Sequence, residues 1–301
     1  MAVERLEQLI EMAKANPKKH LIAAYGQDIY TIRAIREAID MGFLEATLVG
    51  DENVIKEICE KNKIDSGKFN IVHEPDEMKS GRLSVALINE GKGDILMKGL
   101  ISTDKYLKCI LNKEEGLMIP KATLTHIALV QVPTYPKLMI ISDAAFIPAP
   151  DINQKIAITK YLVDTAHQLG IEYPKVAVIS FTEKSNPKVP SCVDAAIIAK
   201  MGDRGQIKKA YIDGPLALDV AIDPVSVKVK GLKSKVAGDA DCLVFPNLET
   251  GNVFYKAMTK LAKGEIAAYV AGTKVPSILP SRGDSEKSKL YSIAVACLMA
   301  K

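Results

Sequence analysis

The chain has 301 residues, 48% hydrophobic and 25% charged, with a net charge of +4. That length suits one large or two medium domains, and the balance is globular, which excludes disordered and fibrous classes. No apolar run is long enough to span a bilayer, residues 1–14 carry acids and do not read as a signal or transit peptide, and the small, dispersed charge argues against nucleic acid. A mild lysine excess suits a polyanionic small molecule. Cys59, Cys109, Cys192, Cys242 and Cys297 form no CxxC, and most lie in apolar runs. They read as reduced, buried thiols of a cytoplasmic protein. His20, His73, His126 and His167 show neither HxxxH nor HExxH spacing, so no metal site is visible. His126 opens a strand and reads as structural.

Helical and strand patterns alternate from the start. Residues 3–14 read as a helix and 21–25 as a short buried strand. Asp28 caps a helix running to Met41, with Ile32, Ile35, Ala38 and Ile39 inward, and Gly42 ends it. A strand at 46–49 follows, then a helix capped by Asp51, a weak strand at 70–73 and a helix at 77–90. Residues 94–97 form a strand ending in Lys98-Gly99. Short apolar strands joined by helices of about ten to fifteen residues predict an α/β fold with a mostly parallel sheet.

The middle of the chain changes texture. Residues 126–132 and 137–142 are β runs joined by Pro133-Thr134-Tyr135-Pro136, a link that favours an antiparallel pair. A domain boundary is expected near residue 120, before this hairpin. A loop at 143–150 leads to a helix at 152–169, then a strand at 175–180. Ser191 caps a helix to Lys200. Strands at 210–213 and 241–245 end in Asp213-Gly214-Pro215 and Pro246-Asn247. Thr250-Gly251-Asn252 enters a helix to Ala262. Strands at 267–271 and 275–279 precede a helix with Leu290, Ile293, Ala294, Cys297 and Leu298 on one face.

In such sheets ligands bind at the carboxyl ends of the strands. Lys98 lies at one such end, and Gly99 lets backbone approach a ligand closely. Ser102 and Thr103 cap the next helix, a role an ordinary helix end also explains. Ser281-Arg282-Gly283-Asp284 is placed where a strand ends and a helix begins. Arg282 offers a fork of donors for a phosphate or oxyanion, Ser281 a hydroxyl and Asp284 a carboxylate. The same Ser-x-x-Asp spacing fits a helix cap, and both readings stand. Arginine is scarce, and Arg204 and Arg282 both stand beside glycine in loops. Gly202-Asp203-Arg204-Gly205 also reads as a helix end and turn.

Met97-Lys98-Gly99, Asp213-Gly214-Pro215-Leu216, the run from Pro246 to Asn252 and Ser281-Arg282-Gly283-Asp284 each follow an apolar strand and precede a helix. In this combination and order they resemble the phosphate acetyl/butyryl transferase family. The likeness covers nearly the whole chain and is nearest the butyryl branch, which Met201 to Lys208, Asp213 to Asp219 and Glu249 to Val253 resemble. It implies an isocitrate/isopropylmalate dehydrogenase-like fold: two α/β domains, residues 1–120 with 272–301 and residues 121–271, with an interdomain cleft. It implies reversible conversion of acyl-CoA and phosphate to acyl phosphate and CoA, with no metal, no cofactor and no covalent enzyme intermediate, in a homo-oligomer. Ser281 and Arg282 match residues assigned to catalysis and phosphate binding. Lys98, Gly99, Ser102, Thr103, Lys108, Asp213, Gly214, Pro215, Asn247, Thr250, Gly251 and Asn252 are the expected phosphate- and CoA-binding positions. The acetyl branch has an aspartate, proposed as base, where this chain has Ser288; Asp284 is the nearest substitute. It also has an arginine where this chain has Lys108, which keeps the charge and loses the bidentate fork.

Other readings compete. A decarboxylating dehydrogenase on the same fold needs clustered aspartates for a divalent cation, and Asp239-Ala240-Asp241 is the one tight acidic pair near a strand start; no GxGxxG is present. An acyltransferase drawing on acyl carrier protein needs a basic and apolar docking face, which the sequence does not reveal. An adhesion reading of Arg282-Gly283-Asp284 lacks a secretion signal.

Overall fold

The computed structural model describes residues 2–281 and 283–301. In chain order the elements are α1 (Glu7–Ala15), β1 (Lys19–Ala24), α2 (Ile29–Asp40), β2 (Leu44–Gly50), α3 (Glu52–Lys61), β3 (Asn70–His73), α4 (Glu77–Asn89), β4 (Ile95–Lys98) and α5 (Thr103–Ile110). Then come β5 (Thr125–Gln131), β6 (Met139–Ser142), α6 (Ile152–Gln168), β7 (Lys175–Ile179), α7 (Pro190–Asp203), β8 (Tyr211–Leu216), α8 (Leu218–Ile222) and α9 (Pro224–Lys230). The chain closes with β9 (Cys242–Val244), α10 (Leu248–Lys256), β10 (Glu265–Ala271), β11 (Ser277–Ile278) and α11 (Glu286–Met299).

Two compact units result. The terminal unit holds Leu6–Leu124 and Ile266–Lys301; the central unit holds Thr125–Glu265 with the N-terminal stretch up to Arg5. In the terminal unit the strand order is β3-β2-β1-β4-β11-β10. All neighbours are parallel except β10, which runs antiparallel to β11. In the central unit the order is β5-β6-β9-β7-β8. The predicted hairpin is present as antiparallel β5 and β6, and the rest are parallel.

The helices form for the reasons legible in the sequence. Asp28 accepts the Thr31 N–H and Asp51 the Asn53 N–H, capping α2 and α3 as expected. Gly42 closes α2 at φ +90°. Arg204 and Gly205 are the end of α7 and its turn, with Gly205 at φ +67°. The core of the terminal unit sets Ile22, Ala24, Val49 and Leu96 of the sheet against Val85, Ile88, Tyr106 and Ile110 of α4 and α5. The Tyr106 hydroxyl reaches the carbonyls of Leu96 and Ile278 at 3.2 Å each, tying β4 to β11.

Several expectations are corrected. Ser281-x-x-Asp284 is not the cap of the last helix: Ser285 is, accepting the Ser288 N–H at 3.0 Å, so α11 starts later. Both spacings fit a cap, and the second one wins. Nor is α11 one-sided. Every residue from Ser288 to Cys297 is buried. Ser191 lies inside α7, whose cap Val189 has no side-chain bond, and its hydroxyl meets the Ser180 hydroxyl at 2.9 Å. α10 ends at Lys256 and passes into a π-helical turn, Ala257–Leu261. The short helices α8 and α9 carried no stripe that sequence periodicity reveals. All five cysteines are buried and unbridged. Burial pushes the Cys297 thiol up to about 12 and Cys242 well above the ordinary value, the reverse of a nucleophile.

Candidate active site

In the terminal unit, Ala24 of β1 pairs with Val49 of β2 and with Lys98 of β4, and Met97 pairs with Ile278 of β11. These strands are parallel, so the turns after each emerge along one edge. That edge carries Tyr25-Gly26, Gly50-Asp51, Gly99-Leu100 and Leu279-Pro280-Ser281. The position after Ile278 is therefore the register neighbour of Lys98, which brings the Ser281 turn beside the end of β4.

Lys98 is 7% exposed, and its ammonium donates to the Gly99 carbonyl at 3.3 Å. Gly99 is needed by the packing of the protein itself. A Cβ there would strike the Tyr25 carbonyl oxygen and stand 2.9 Å from the Gly26 Cα. Through this contact the Leu100 N–H reaches the Tyr25 carbonyl at 2.8 Å. Tyr25 itself sits at φ +53°, a left-handed conformation that side chains rarely adopt. Ser102 caps α5, accepting the Lys105 N–H at 3.4 Å. Its own N–H goes to Glu77 Oε1 at 2.7 Å, and Glu77 also pairs with Lys105. Hydrogen bonds from Lys105, then from Ser102, hold the Glu77 carboxyl below its ordinary value. The N–H of the α5 cap residue is thus taken by a carboxylate of the protein. Thr103, its first residue, is exposed. Lys108 pairs with Asp104 at 2.8 Å and lines a cavity of about 460 Å³ between α4 and α5, with Arg82 and Cys109.

The Ser281 turn is tied by its own groups. The Ser281 N–H donates to Asp284 Oδ2 at 2.7 Å, and the Asp284 N–H returns to the Ser281 carbonyl at 3.1 Å. Arg282 lies outside the described residues. Ser288, where the acetyl branch carries its aspartate, is buried and receives the Ser285 hydroxyl at 3.2 Å.

In the central unit, Ser142 of β6 pairs with Val244 of β9, and Val178 of β7 with the same residue. The turns after β6, β9, β7 and β8 again share an edge. The organiser there is Asp143, which the sequence placed only in a loop. It is 3% exposed, and its carboxylate accepts four backbone N–H groups, from His126, Ala145, Phe146 and Ile147, at 2.7–3.1 Å. An aspartate directly after a buried β run was the available signal. Asn247 caps α10 with its carbonyl oxygen, which accepts the Thr250 N–H and hydroxyl at 2.9 and 2.6 Å. Asn252 donates to the Ala144 carbonyl at 3.0 Å. Gly251 presses on the Asp143 carbonyl, where a Cβ has no room. The Asn247–Asn252 motif and the Asp143 loop are therefore one fixed body. His126 lies edge-on to Phe146 and Tyr255.

Asp213, Gly214 and Pro215 lie within β8 rather than after it. Asp213 accepts the Gly214 N–H at 2.8 Å, and Gly214 lies so close to Val178 and Ala195 that no side chain fits. Asp239 and Asp241 are bound by lysine. Lys137 reaches them at 2.7 and 2.6 Å, and Lys175 also pairs with Asp239. Burial opposes the Asp239 charge, but the two lysines outweigh it and hold its carboxyl below the ordinary range. Among the described residues no group of three His, Cys, Asp or Glu side chains is placed to hold a metal. No helix among them is long and apolar enough to cross a membrane.

A family model described as Phosphate acetyl/butaryl transferase matches residues 77–297. The chain is 41% identical over 298 residues to a phosphate butyryltransferase of Clostridium acetobutylicum, covering 99% of each chain. It is 40% identical over 295 residues to a phosphate acetyltransferase of Thermotoga maritima, covering 98% of this chain and 99% of that one. Among solved structures it resembles a branched-chain phosphotransacylase from Enterococcus faecalis V583, with a TM-score of 0.81 and 30% identity over 94% of this chain and 100% of that one.

Proposed function

This chain belongs to the phosphate acetyl/butaryl transferase family, and we propose that it is a butyryl-preferring member. It is a phosphate acyltransferase, moving a short-chain acyl group reversibly between CoA and inorganic phosphate. The observation that supports butyryl is Ser288. The carboxylate expected there in the acetyl branch is absent, and the serine is buried against Ser285. The near-equal identity to an acetyltransferase supports acetyl transfer as the second reading.

The chemistry joins two anions, so it needs cations and preorganised donors. A phosphate oxygen attacks the thioester carbonyl, a tetrahedral oxyanion forms, and its collapse expels the CoA thiolate. Ser281 donates its hydroxyl to the oxyanion. Arg282 and Lys98 balance the phosphate charge. Asp284 exchanges the proton with the CoA thiol. Orientation of the two substrates supplies much of the rate. The reduced cysteines fit a cytoplasmic location, and family resemblance favours a homo-oligomer.

The test is phosphate-dependent CoA release from butyryl-CoA beside acetyl-, propionyl- and isobutyryl-CoA. The expected result is robust turnover with the highest kcat/KM for a four-carbon chain, by about tenfold over acetyl, since each methylene in an apolar pocket is worth about 1–3 kcal/mol. A two-carbon preference moves the chain to the acetyl reading. No turnover with any of the four overturns both.

A further inference from the structure

The first turns of α11 and α2 hold a cation that the fold leaves unneutralised. Lys289, in α11, is 5% exposed. Its ammonium stands 5.1 Å from the centre of the Tyr30 ring, in the first turn of α2. Among the described residues it has no carboxylate partner. The acids at the two helix ends are committed elsewhere. Asp28 accepts the Thr31 N–H and hydroxyl at 3.0 and 2.7 Å, and Glu286 pairs with Arg33 at 3.1 Å.

The surroundings deepen the anomaly. Ser285 and Asp28 each cap an amide in their helix, at Ser288 and Thr31. Among the described residues no acceptor meets the N–H groups of Glu286 and Lys287, or of Ile29 and Tyr30. Such amides carry the positive end of the helix dipole. A buried ammonium beside two positive helix ends is unfavourable for the empty protein. The same grouping is a receptor for an anion. Tyr30 is 53% exposed, so the ring over the ammonium faces solvent.

We propose that Lys289, with the first-turn amides of α11 and α2, binds a phosphate group of the substrates. The chemistry is that of a phosphate dianion, which inorganic phosphate and the 3′-phosphate of CoA share. Which substrates supply it rests on the acyltransfer reading; the binding of phosphate itself does not.

The test is Lys289→Met, which keeps the apolar stem and removes the charge. Binding of inorganic phosphate, CoA and dephospho-CoA to wild type and variant is measured by calorimetry, with thermal unfolding in chloride buffer. The expected result is a loss of at least about tenfold in affinity for phosphate or CoA, well outside measurement scatter. The ligand-free Tm stays level or rises, because an unpaired buried charge is gone. Loss for CoA but not dephospho-CoA identifies the 3′-phosphate, and loss for inorganic phosphate the transferred group. Affinities within about twofold of wild type for all three overturn the proposal. A fallen Tm with intact binding assigns Lys289 to packing on Tyr30 and overturns it too, as does a wild type that binds none of the three. If the wild type turns over no acyl-CoA yet loses phosphate binding on substitution, the anion site stands and the acyltransfer reading falls.

Discussion

At the carboxyl edge of the central unit, Asp143, Asn247 and Asn252 give their polar atoms to the protein itself. At the carboxyl edge of the terminal unit, the Ile29 and Tyr30 amides of α2 and the Glu286 and Lys287 amides of α11 meet no protein acceptor among the described residues, and the Lys289 ammonium meets only an aromatic face. Buried polar groups are normally satisfied. An edge that satisfies its own groups is holding a shape, and an edge that leaves charge over is waiting for a partner. Substitutions on the first should therefore act on stability, and on the second on ligand affinity.

Asp143→Ala carries the largest expected effect. It strands four buried N–H groups and removes the frame under α10. A loss of about 3–5 kcal/mol is expected, as for one partner removed from a buried charged network. Urea denaturation measures it. A variant within about 1 kcal/mol of the parent would mean that the loop finds other acceptors and that the central edge is less fixed than its bonds imply.

Gly99→Ala tests the same contrast from the other side. The glycine joins the ends of β4 and β1 backbone to backbone, and the left-handed Tyr25 is its neighbour. Overpacking there is expected to cost about 1–3 kcal/mol. Because Tyr25 leads into the first turn of α2, phosphate affinity should fall with stability. Stability loss with unchanged affinity would separate the β1 turn from the ligand-binding part of this edge.

Much of this was legible in the sequence, for physical reasons. Buried parallel strands are apolar runs, so the order of elements, the β5–β6 hairpin and the caps at Asp28 and Asp51 could be read directly. Three of the four loop motifs could be read because glycine, proline and asparagine mark strand-to-helix turns; Asp213-Gly214-Pro215 lies inside β8 instead. Asp143 offered only its place after a buried β run, because its importance lies in backbone amides that its own side chain gathers. Lys289 was hidden by its helix. The stripe from Leu290 to Leu298 predicts one inward face, whereas α11 is buried all round, and a lysine on the apparent outer face carries no signal. Ser102 was readable as a cap, but Glu77, which closes the same turn, stands on another helix.

Glu77 provides the smallest effect and the sharpest control. It takes the N–H of Ser102, the cap residue of α5, from another helix, whereas α2 and α11 are capped by their own Asp28 and Ser285. Its carboxyl is held below the ordinary 4.5 by Lys105 and the Ser102 N–H. A carboxyl whose folded pKa is depressed adds stability that is present above the unfolded pKa and lost as pH falls through the folded one. Glu77→Gln should therefore cost about 0.5–1 kcal/mol at pH 7, kept small by solvent screening of a partly exposed pair. That difference from wild type should shrink as pH falls below about 4.5 and vanish below the folded pKa. Denaturation midpoints between pH 3 and pH 7 check it. A penalty that persists in acid would show that Glu77 acts by shape rather than charge. A variant that gains phosphate affinity would show that this carboxylate is what keeps α5 from being a third anion-binding helix end on the same edge.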